Sequence, residues 1–161
     1  MKMMVYHGTD CLFDQIDLSK SIGRRDFGEG FYTTTISSQA ENWARSKKLR
    51  NQSEFAYVYV YEVDIPEDSF AIKRFEGLTV EWLNMIRDNR KLGGIQHNFD
   101  IMMGPVANDN TMLTVTRYVQ GTYTAEEALG RLAYAKVNDQ VTFHTERALE
   151  CVRFIRRYTV E

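Results

Sequence analysis

The 161-residue sequence has few cysteines, few prolines and no long apolar run. Its two cysteines, Cys11 and Cys151, lie near opposite ends of the chain, so they form neither a disulfide framework nor a Cys-x-x-Cys motif. Such sparse cysteine is typical of a reducing compartment. No segment approaches the roughly 18 apolar residues of a membrane-spanning helix, and no apolar leader follows the first methionine. We therefore expect a soluble, cytoplasmic protein that does not bind the membrane.

The sequence also lacks an excess of positive charge. Its 20 Lys and Arg residues are balanced by 22 Asp and Glu residues, which gives a net charge of -2. A protein that binds duplex nucleic acid usually has a basic face, and this composition does not indicate one. The length fits one domain, and no repeat, low-complexity segment or linker divides it. We therefore expect a single domain over residues 1–161.

The order of predicted helices and strands favours the α+β class. Apolar, aromatic and β-branched runs predict strands at residues 3–6, 31–35, 55–63, 70–75, 99–103, 140–144 and 152–160. Helical periodicity predicts helices at residues 37–48, 80–89, 111–119 and 124–135. Ser37 or Ser38 is expected to cap the first helix, and Thr124 to Glu127 form a capping box. The elements do not follow a regular β-α-β rhythm, which argues against a doubly wound sheet.

The usual catalytic and metal-binding motifs are missing or weak. Gly28 and Gly30 match a dinucleotide-binding loop poorly, because that loop needs a third glycine at the start of a helix. A tight turn with positive φ at a glycine is the alternative. The histidines His7, His97 and His144 have no ligand spacing, so we expect no metal ion. There is no Gly-x-Ser-x-Gly motif for a serine hydrolase.

Two short motifs indicate a function only when they are considered together. His7-Gly8-Thr9 follows an apolar run, and Gly28-Glu29-Gly30-Phe31-Tyr32 precedes a predicted helix that carries Trp43 eleven residues beyond the tyrosine. This pattern resembles the first two signature motifs of diphtheria-toxin-like and PARP-like ADP-ribosyltransferases. Those enzymes have a strand ending in His-Gly-Ser/Thr, then Gly-x-Gly-aliphatic/aromatic-Tyr, and a second aromatic on the next helix. The resemblance implies an ADP-ribosyltransferase-like fold of two packed mixed β-sheets with flanking helices around an NAD cleft.

Over its full length the chain resembles a bacterial family labelled domain of unknown function 3990. The members of that family begin with Val-Tyr-His-Gly-Ser/Thr and contain Asp-Phe-Gly-x-Gly-Phe-Tyr-x-Thr. Later they show Asp-Ile-x-x-Gly-Pro-Val-Ala and Gln-x-x-Phe-His-Thr-Glu. The four matching segments here are residues 5–9, 26–34, 100–107 and 140–146.

The resemblance to ADP-ribosyltransferases implies NAD as the substrate, and it assigns roles to particular residues. Nicotinamide is a planar cation that two aromatic faces can sandwich, each contact contributing roughly 0.5–2 kcal/mol, and Tyr32 and Trp43 are the candidates. His7 is implied to bind the adenosine ribose, and the Gly8 backbone to bind the carboxamide. The other implied NAD contacts are Thr9, Arg24, Arg25 and Gly30, with the arginines meeting the diphosphate.

Gln140 is the departure from the superfamily pattern. It stands where the third motif carries a glutamate, and the implied catalytic residues are therefore His7, Tyr32 and Gln140. Glutamine keeps a hydrogen bond but has no charge and cannot act as a base. Asp139 would need a bulge to replace it, because neighbouring strand residues face opposite sides. The alternative is that Gln140 is a polar strand residue bonded to a neighbouring backbone.

The resemblance thus implies an NAD-dependent mono-ADP-ribosyltransferase that modifies an intracellular macromolecule, a protein more than a nucleic acid. The small size and the resemblance favour a bacterial toxin or effector restrained by an antitoxin protein. Two alternatives stay open at this point. One is a catalytically weak NAD-binding or interaction module, and the other is an NAD glycohydrolase.

Overall fold

The structure is a computed structural model, and it describes residues 1–21, 25–106, 111–133 and 138–161. Its strands are β1 (Lys2–Thr9), β2 (Phe31–Thr33), β3 (Ala56–Asp64), β4 (Ile72–Arg74), β5 (Ile101–Val106), β6 (Asn138–Phe143) and β7 (Val152–Val160). Its helices are α1 (Ser37–Asn51), α2 (Val80–Leu92), α3 (Met112–Val119), α4 (Ala125–Leu132) and α5 (Glu146–Leu149). The predicted α+β class is confirmed. Among the described residues, no helix is long and apolar enough to cross a membrane.

The first sheet has the strand order β1-β3-β7 and is antiparallel throughout. Helix α1 covers one of its faces, where the buried Ala40 and Ala44 pack against Val58 and Val60 of β3. The small alanines allow the helix to lie close to the strands. A Cβ atom on Gly8 would lie 2.0 Å from the Ala40 carbonyl oxygen, so only glycine fits at this crossing.

The second sheet has the order β2-β6-β5-β4. Its β4 and β5 strands run parallel and its other pairs are antiparallel, so this sheet is mixed. The expectation of two mixed sheets is therefore right for the second sheet and wrong for the first, because each neighbouring pair in the first sheet runs in opposite directions.

Two cores hold the second sheet in place. One lies between the sheets and includes Val5, Tyr59, Phe31 and Phe143. Because strand side chains alternate, Tyr32 lies on the other face of β2, in a core with Trp82, Leu83, Ile86 and Met102.

Helix α2 buries Trp82, Leu83 and Ile86, while Val80 at its first position is 44% exposed. One local prediction, the cap of α1, was wrong. Helix α1 begins after Ile36, which provides no side-chain cap, so neither Ser37 nor Ser38 has the expected role. The capping box of α4 is confirmed, with Thr124 and Glu127 bonded reciprocally.

The sheets meet where β1 passes β2. The Tyr6 amide donates to the Thr34 carbonyl oxygen at 2.8 Å, and the Thr34 amide donates to the Tyr6 carbonyl oxygen at 3.0 Å. This bridge brings the end of β1, which carries the His-Gly-Thr motif, beside the strand that carries Tyr32.

Candidate functional site

His7 and Tyr32, the central residues of the two motifs, are in direct contact. The His7 Nδ1 atom lies 2.7 Å from the Tyr32 carbonyl oxygen. A carbonyl can only accept, so His7 Nδ1 carries the hydrogen and Nε2 is the acceptor nitrogen of the neutral ring. The ring stacks on Phe31 with 4.4 Å between centroids. Burial lowers the pKa of His7 to about 3, and Lys47 adds to this effect, so the ring is neutral at physiological pH.

The Tyr32 side chain is buried, and both its hydroxyl and its ring make contacts. Its hydroxyl accepts from the Phe27 amide at 2.9 Å and donates to the Gly28 carbonyl oxygen at 2.6 Å. One face of its ring is covered by Arg25, whose guanidinium carbon lies 4.0 Å from the ring centroid. Burial raises the pKa of Tyr32, so the hydroxyl stays protonated. The hydroxyl thus fixes the glycine turn, while the ring presents a face that already holds a planar cation.

The glycine turn is required by its packing as well as by any ligand. Gly28 has a φ of 87°, which confirms the expected turn with positive φ. A Cβ on Gly30 would lie 2.7 Å from the His144 Nδ1 atom, so this glycine allows the turn to approach β6. Next to the turn, Asp26 forms a half-buried salt bridge with Arg90. The turn is therefore rigidly held on the second sheet.

Two histidines that the sequence left without a role support this turn. His144 Nδ1 donates to the Glu29 carbonyl oxygen at 2.8 Å, and its Nε2 accepts from the Thr142 hydroxyl at 2.7 Å. His97 Nε2 contacts the Phe27 carbonyl oxygen at 2.7 Å. Burial lowers the pKa of His144 to about 4 and also lowers that of His97, so both rings are neutral. Their spacing in the sequence gave no signal of this role.

The Gly8 carbonyl oxygen accepts a hydrogen bond from Lys47 Nζ at 3.1 Å. Sequence analysis did not select this lysine, because nothing in the helix pattern of α1 distinguishes it from Lys48. Trp43 is half-buried one helical turn before Lys47, on the same side of α1. The Thr9 hydroxyl accepts from the Cys11 amide at 3.2 Å, so it fixes the bend after β1.

Gln140 is buried in β6, with 1% of its surface exposed. Its Nε2 atom donates to the Pro105 carbonyl oxygen at 3.0 Å, and Trp82 Nε1 donates to the same oxygen at 2.8 Å. Gln140 shares a sheet face with Tyr32, since it lies two residues before Thr142, the register partner of that tyrosine. Within the described residues, no hydrogen bond joins Gln140 to His7 or Tyr32.

Asp139 explains the run of threonines after Tyr32. Its carboxylate accepts from the Thr34 hydroxyl at 2.6 Å and from the Thr35 amide at 2.9 Å. It also bonds the Thr35 hydroxyl. Asp139 therefore fastens the end of β2 to β6 and does not take the place of Gln140.

The motif residues do not all lie together. His7, Gly8, Arg25, Gly30 and Tyr32 come together where the sheets meet. Thr9 ends β1 directly after Gly8, Trp43 lies on α1 one turn before Lys47, and Gln140 is bonded elsewhere. Arg24 lies outside the described residues. In the described part of the chain, no group of histidine, cysteine or acidic side chains is arranged to hold a metal ion.

Comparison with known proteins identifies the family of the chain. No curated protein matches it, and no solved structure matches it. The model of one family, described as protein of unknown function (DUF3990), matches residues 3–154. Because this match covers almost the whole chain, the protein belongs to the DUF3990 family.

Proposed function

We propose that this protein is an NAD-dependent mono-ADP-ribosyltransferase with an ADP-ribosyltransferase-like fold. In the reaction, the bond between nicotinamide and its ribose breaks, and the anomeric carbon bonds to a nucleophile of an acceptor macromolecule, which loses a proton to solvent. The acceptor is an intracellular protein in preference to a nucleic acid. The proposal includes a toxin or effector role, with an antitoxin protein as partner.

The observation that carries the proposal is the contact between His7 Nδ1 and the Tyr32 carbonyl oxygen. It joins two motifs whose contacting residues lie 25 positions apart in the sequence, and this supports the role that the resemblance implies for them. It also fixes the tautomer of His7, which leaves Nε2 as an acceptor. A neutral ring with an acceptor nitrogen suits a ribose hydroxyl, which is the role the resemblance implies.

The surroundings of Tyr32 support binding of the nicotinamide cation. The ring face holds the Arg25 guanidinium, which is itself a flat, delocalised cation. A pyridinium ring has the same shape and sign of charge, so the same face attracts it. For nicotinamide to stack there, Arg25 must leave the ring face.

A second candidate function, a binding module with little or no turnover, is favoured by the contacts of Gln140. A catalytic glutamate at that position would stabilise positive charge at the anomeric carbon, and the glutamine cannot. Its amide is also occupied by the Pro105 carbonyl oxygen. An NAD glycohydrolase is the third possibility, in which water replaces the acceptor.

Incubation with labelled NAD and a cell lysate separates these functions. Label on a macromolecule supports the transferase, release of nicotinamide without transfer supports the glycohydrolase, and binding alone supports the module. Sensitivity of the label to nuclease or protease then identifies the class of acceptor. Absence of NAD binding would contradict all three.

The variant His7→Asn tests the proposed role of His7. The asparagine amide can still donate to the Tyr32 carbonyl oxygen, while the acceptor at Nε2 is lost. We expect a folded protein that has lost most of its affinity for NAD. Wild-type affinity in this variant would contradict the ribose-binding role of His7.

A further inference from the structure

Two cations lie beside His7 without an acidic partner. Lys47 uses one of its three donors on the Gly8 carbonyl oxygen, and Arg25 lies over the Tyr32 ring. Among the described residues, neither forms a salt bridge with a carboxylate. The nearby Asp10 carboxylate is bonded to Ser53 and, at 2.9 Å, to Asn51. Asp10 therefore raises the pKa of Lys47 without forming a salt bridge with it, and neither cation is paired with a carboxylate in the described part of the chain.

Both cations border the contact between His7 and Tyr32. The Lys47 ammonium lies on the carbonyl oxygen of Gly8, next to His7, and the Arg25 guanidinium lies over the Tyr32 ring. Burial lowers the pKa of Lys47 to about 8, and Arg25 is the next cause of this shift. A bound anion would stabilise both charges and raise the pKa of the lysine again.

We infer that Lys47 and Arg25 together form an anion site that binds the diphosphate of a dinucleotide. Lys47 is the new element of this site, which sequence analysis did not identify. The Gly8 carbonyl fixes the ammonium at the end of β1, and the guanidinium fork of Arg25 suits phosphate oxygens. The identification of the ligand as a dinucleotide rests on the proposed function, whereas the anion site itself rests on the two cations and their contacts.

The test uses inorganic pyrophosphate and isothermal titration calorimetry on the full chain at about neutral pH. Loss of a hydrogen-bonded charge corresponds to roughly a tenfold to hundredfold loss of affinity, and we expect this for Lys47→Met and for Arg25→Gln. Lys47→Arg keeps the charge and should retain most of the affinity. Lys48→Met, one residue further along the same helix, should bind within about twofold of wild type. Unchanged affinity in Lys47→Met or Arg25→Gln, or no binding by the wild type, would overturn the inference.

A second measurement does not depend on a variant being folded. Sulfate keeps its charge over the alkaline range, so its affinity for the wild type reports the protonation of the protein. The charged and titratable groups that face Lys47 are His7, Asp10, Cys11, Arg25 and Arg50. The protonated lysine binds the anion, so affinity should be constant below about pH 8 and fall above it. An NMR titration of the Lys47 side chain should give a higher pKa in sulfate than without it. An unchanged pKa would overturn the inference.

The same titrations with NAD separate this inference from the proposed function. If pyrophosphate binding depends on Lys47 and NAD does not bind, the anion site stands and the proposed function fails. If NAD binds equally well to wild type and Lys47→Met, the proposed function stands and the anion site fails.

Discussion

The Arg25 guanidinium stacks on the Tyr32 ring, and the hydroxyl of the same tyrosine holds the glycine turn that follows Arg25 in the sequence. The ring and the hydroxyl therefore have separate roles. The ring provides a cation-binding face, while the hydroxyl connects Phe27 and Gly28 within the turn. A substitution that removes only one of these groups can distinguish the two roles.

Tyr32→Phe should lower the free energy of unfolding by about 1–3 kcal/mol, because the buried Phe27 amide and Gly28 carbonyl lose their partner. Its affinity for NAD should fall less than that of Tyr32→Ala, which removes the stacking face and costs roughly 1–3 kcal/mol of binding. Urea unfolding and calorimetry measure the two effects.

Tyr61→Phe is the matched control for stability. Tyr61 is also buried, but its hydroxyl makes no hydrogen bond among the described residues. Its free energy of unfolding should therefore change by less than about 1 kcal/mol. An equal loss of stability in both variants would contradict the specific role of the Tyr32 hydroxyl.

Gly8→Ala should destabilise the protein by about 1–3 kcal/mol. The new Cβ would lie 2.0 Å from the Ala40 carbonyl oxygen, so β1 and α1 must separate. The comparison is Gly130→Ala in α4, where a Cβ would meet no atom within 4 Å. That variant should gain about 0.5–1 kcal/mol from its helix propensity. Thermal unfolding should show shifts of opposite sign, and shifts of the same sign would refute the packing argument.

The stability of the protein should fall as the pH falls from about 7 to about 5. His144 has a pKa of about 4 in the folded state, against 6.5 for an ordinary histidine. At about pH 5 the unfolded chain therefore binds a proton that the native ring does not, and this favours unfolding by about 2 kcal/mol. Denaturant unfolding at both pH values measures the total loss, to which His7 and His97 contribute with the same sign because their pKa values are also lowered in the folded state. By NMR, the His144 ring should remain neutral at about pH 5, and a ring that is already protonated there would contradict the prediction.

Gln140→Glu should destabilise the protein most at neutral pH. The carboxylate would be buried and would lie against the Pro105 carbonyl oxygen, which now accepts from Gln140. Its folded pKa would exceed the unfolded value of about 4.3, so the penalty is present at neutral pH and disappears as the pH falls. We expect a loss of about 1–3 kcal/mol relative to wild type at about pH 7, shrinking towards pH 4. If the difference in unfolding free energy between wild type and Gln140→Glu does not depend on pH, the carboxylate is not buried.

Gln140→Ala tests the catalytic role directly. If Gln140 orients the nicotinamide ribose, transfer should fall by about 10²–10³. If it only bonds Pro105, the variant should lose stability but keep the wild-type rate of transfer at a temperature where it is folded. The rate of label incorporation from NAD distinguishes the two roles.

Much of the fold could be predicted from local sequence. The strand at Val152–Val160 was located to the residue, because β-branched and aromatic residues make up most of this segment. The capping box of α4 was also identified, since its partners are three residues apart. These features depend on near neighbours in the chain. The motif order around His7 and Tyr32 indicated the candidate site in the same way, by residue type and spacing.

The tertiary structure decided what lies next to each motif. Lys47 and Gly8 are 39 residues apart, and His144 and Glu29 are 115 apart, so no local pattern links them. Burial of a lysine or a histidine depends on which distant segments cover it, and hydrophobic periodicity does not encode that. The sequence therefore determined the elements and the motifs. The folded chain alone placed Lys47 and Arg25, which form no salt bridge among the described residues, beside His7, and it fixed which nitrogen of that histidine accepts.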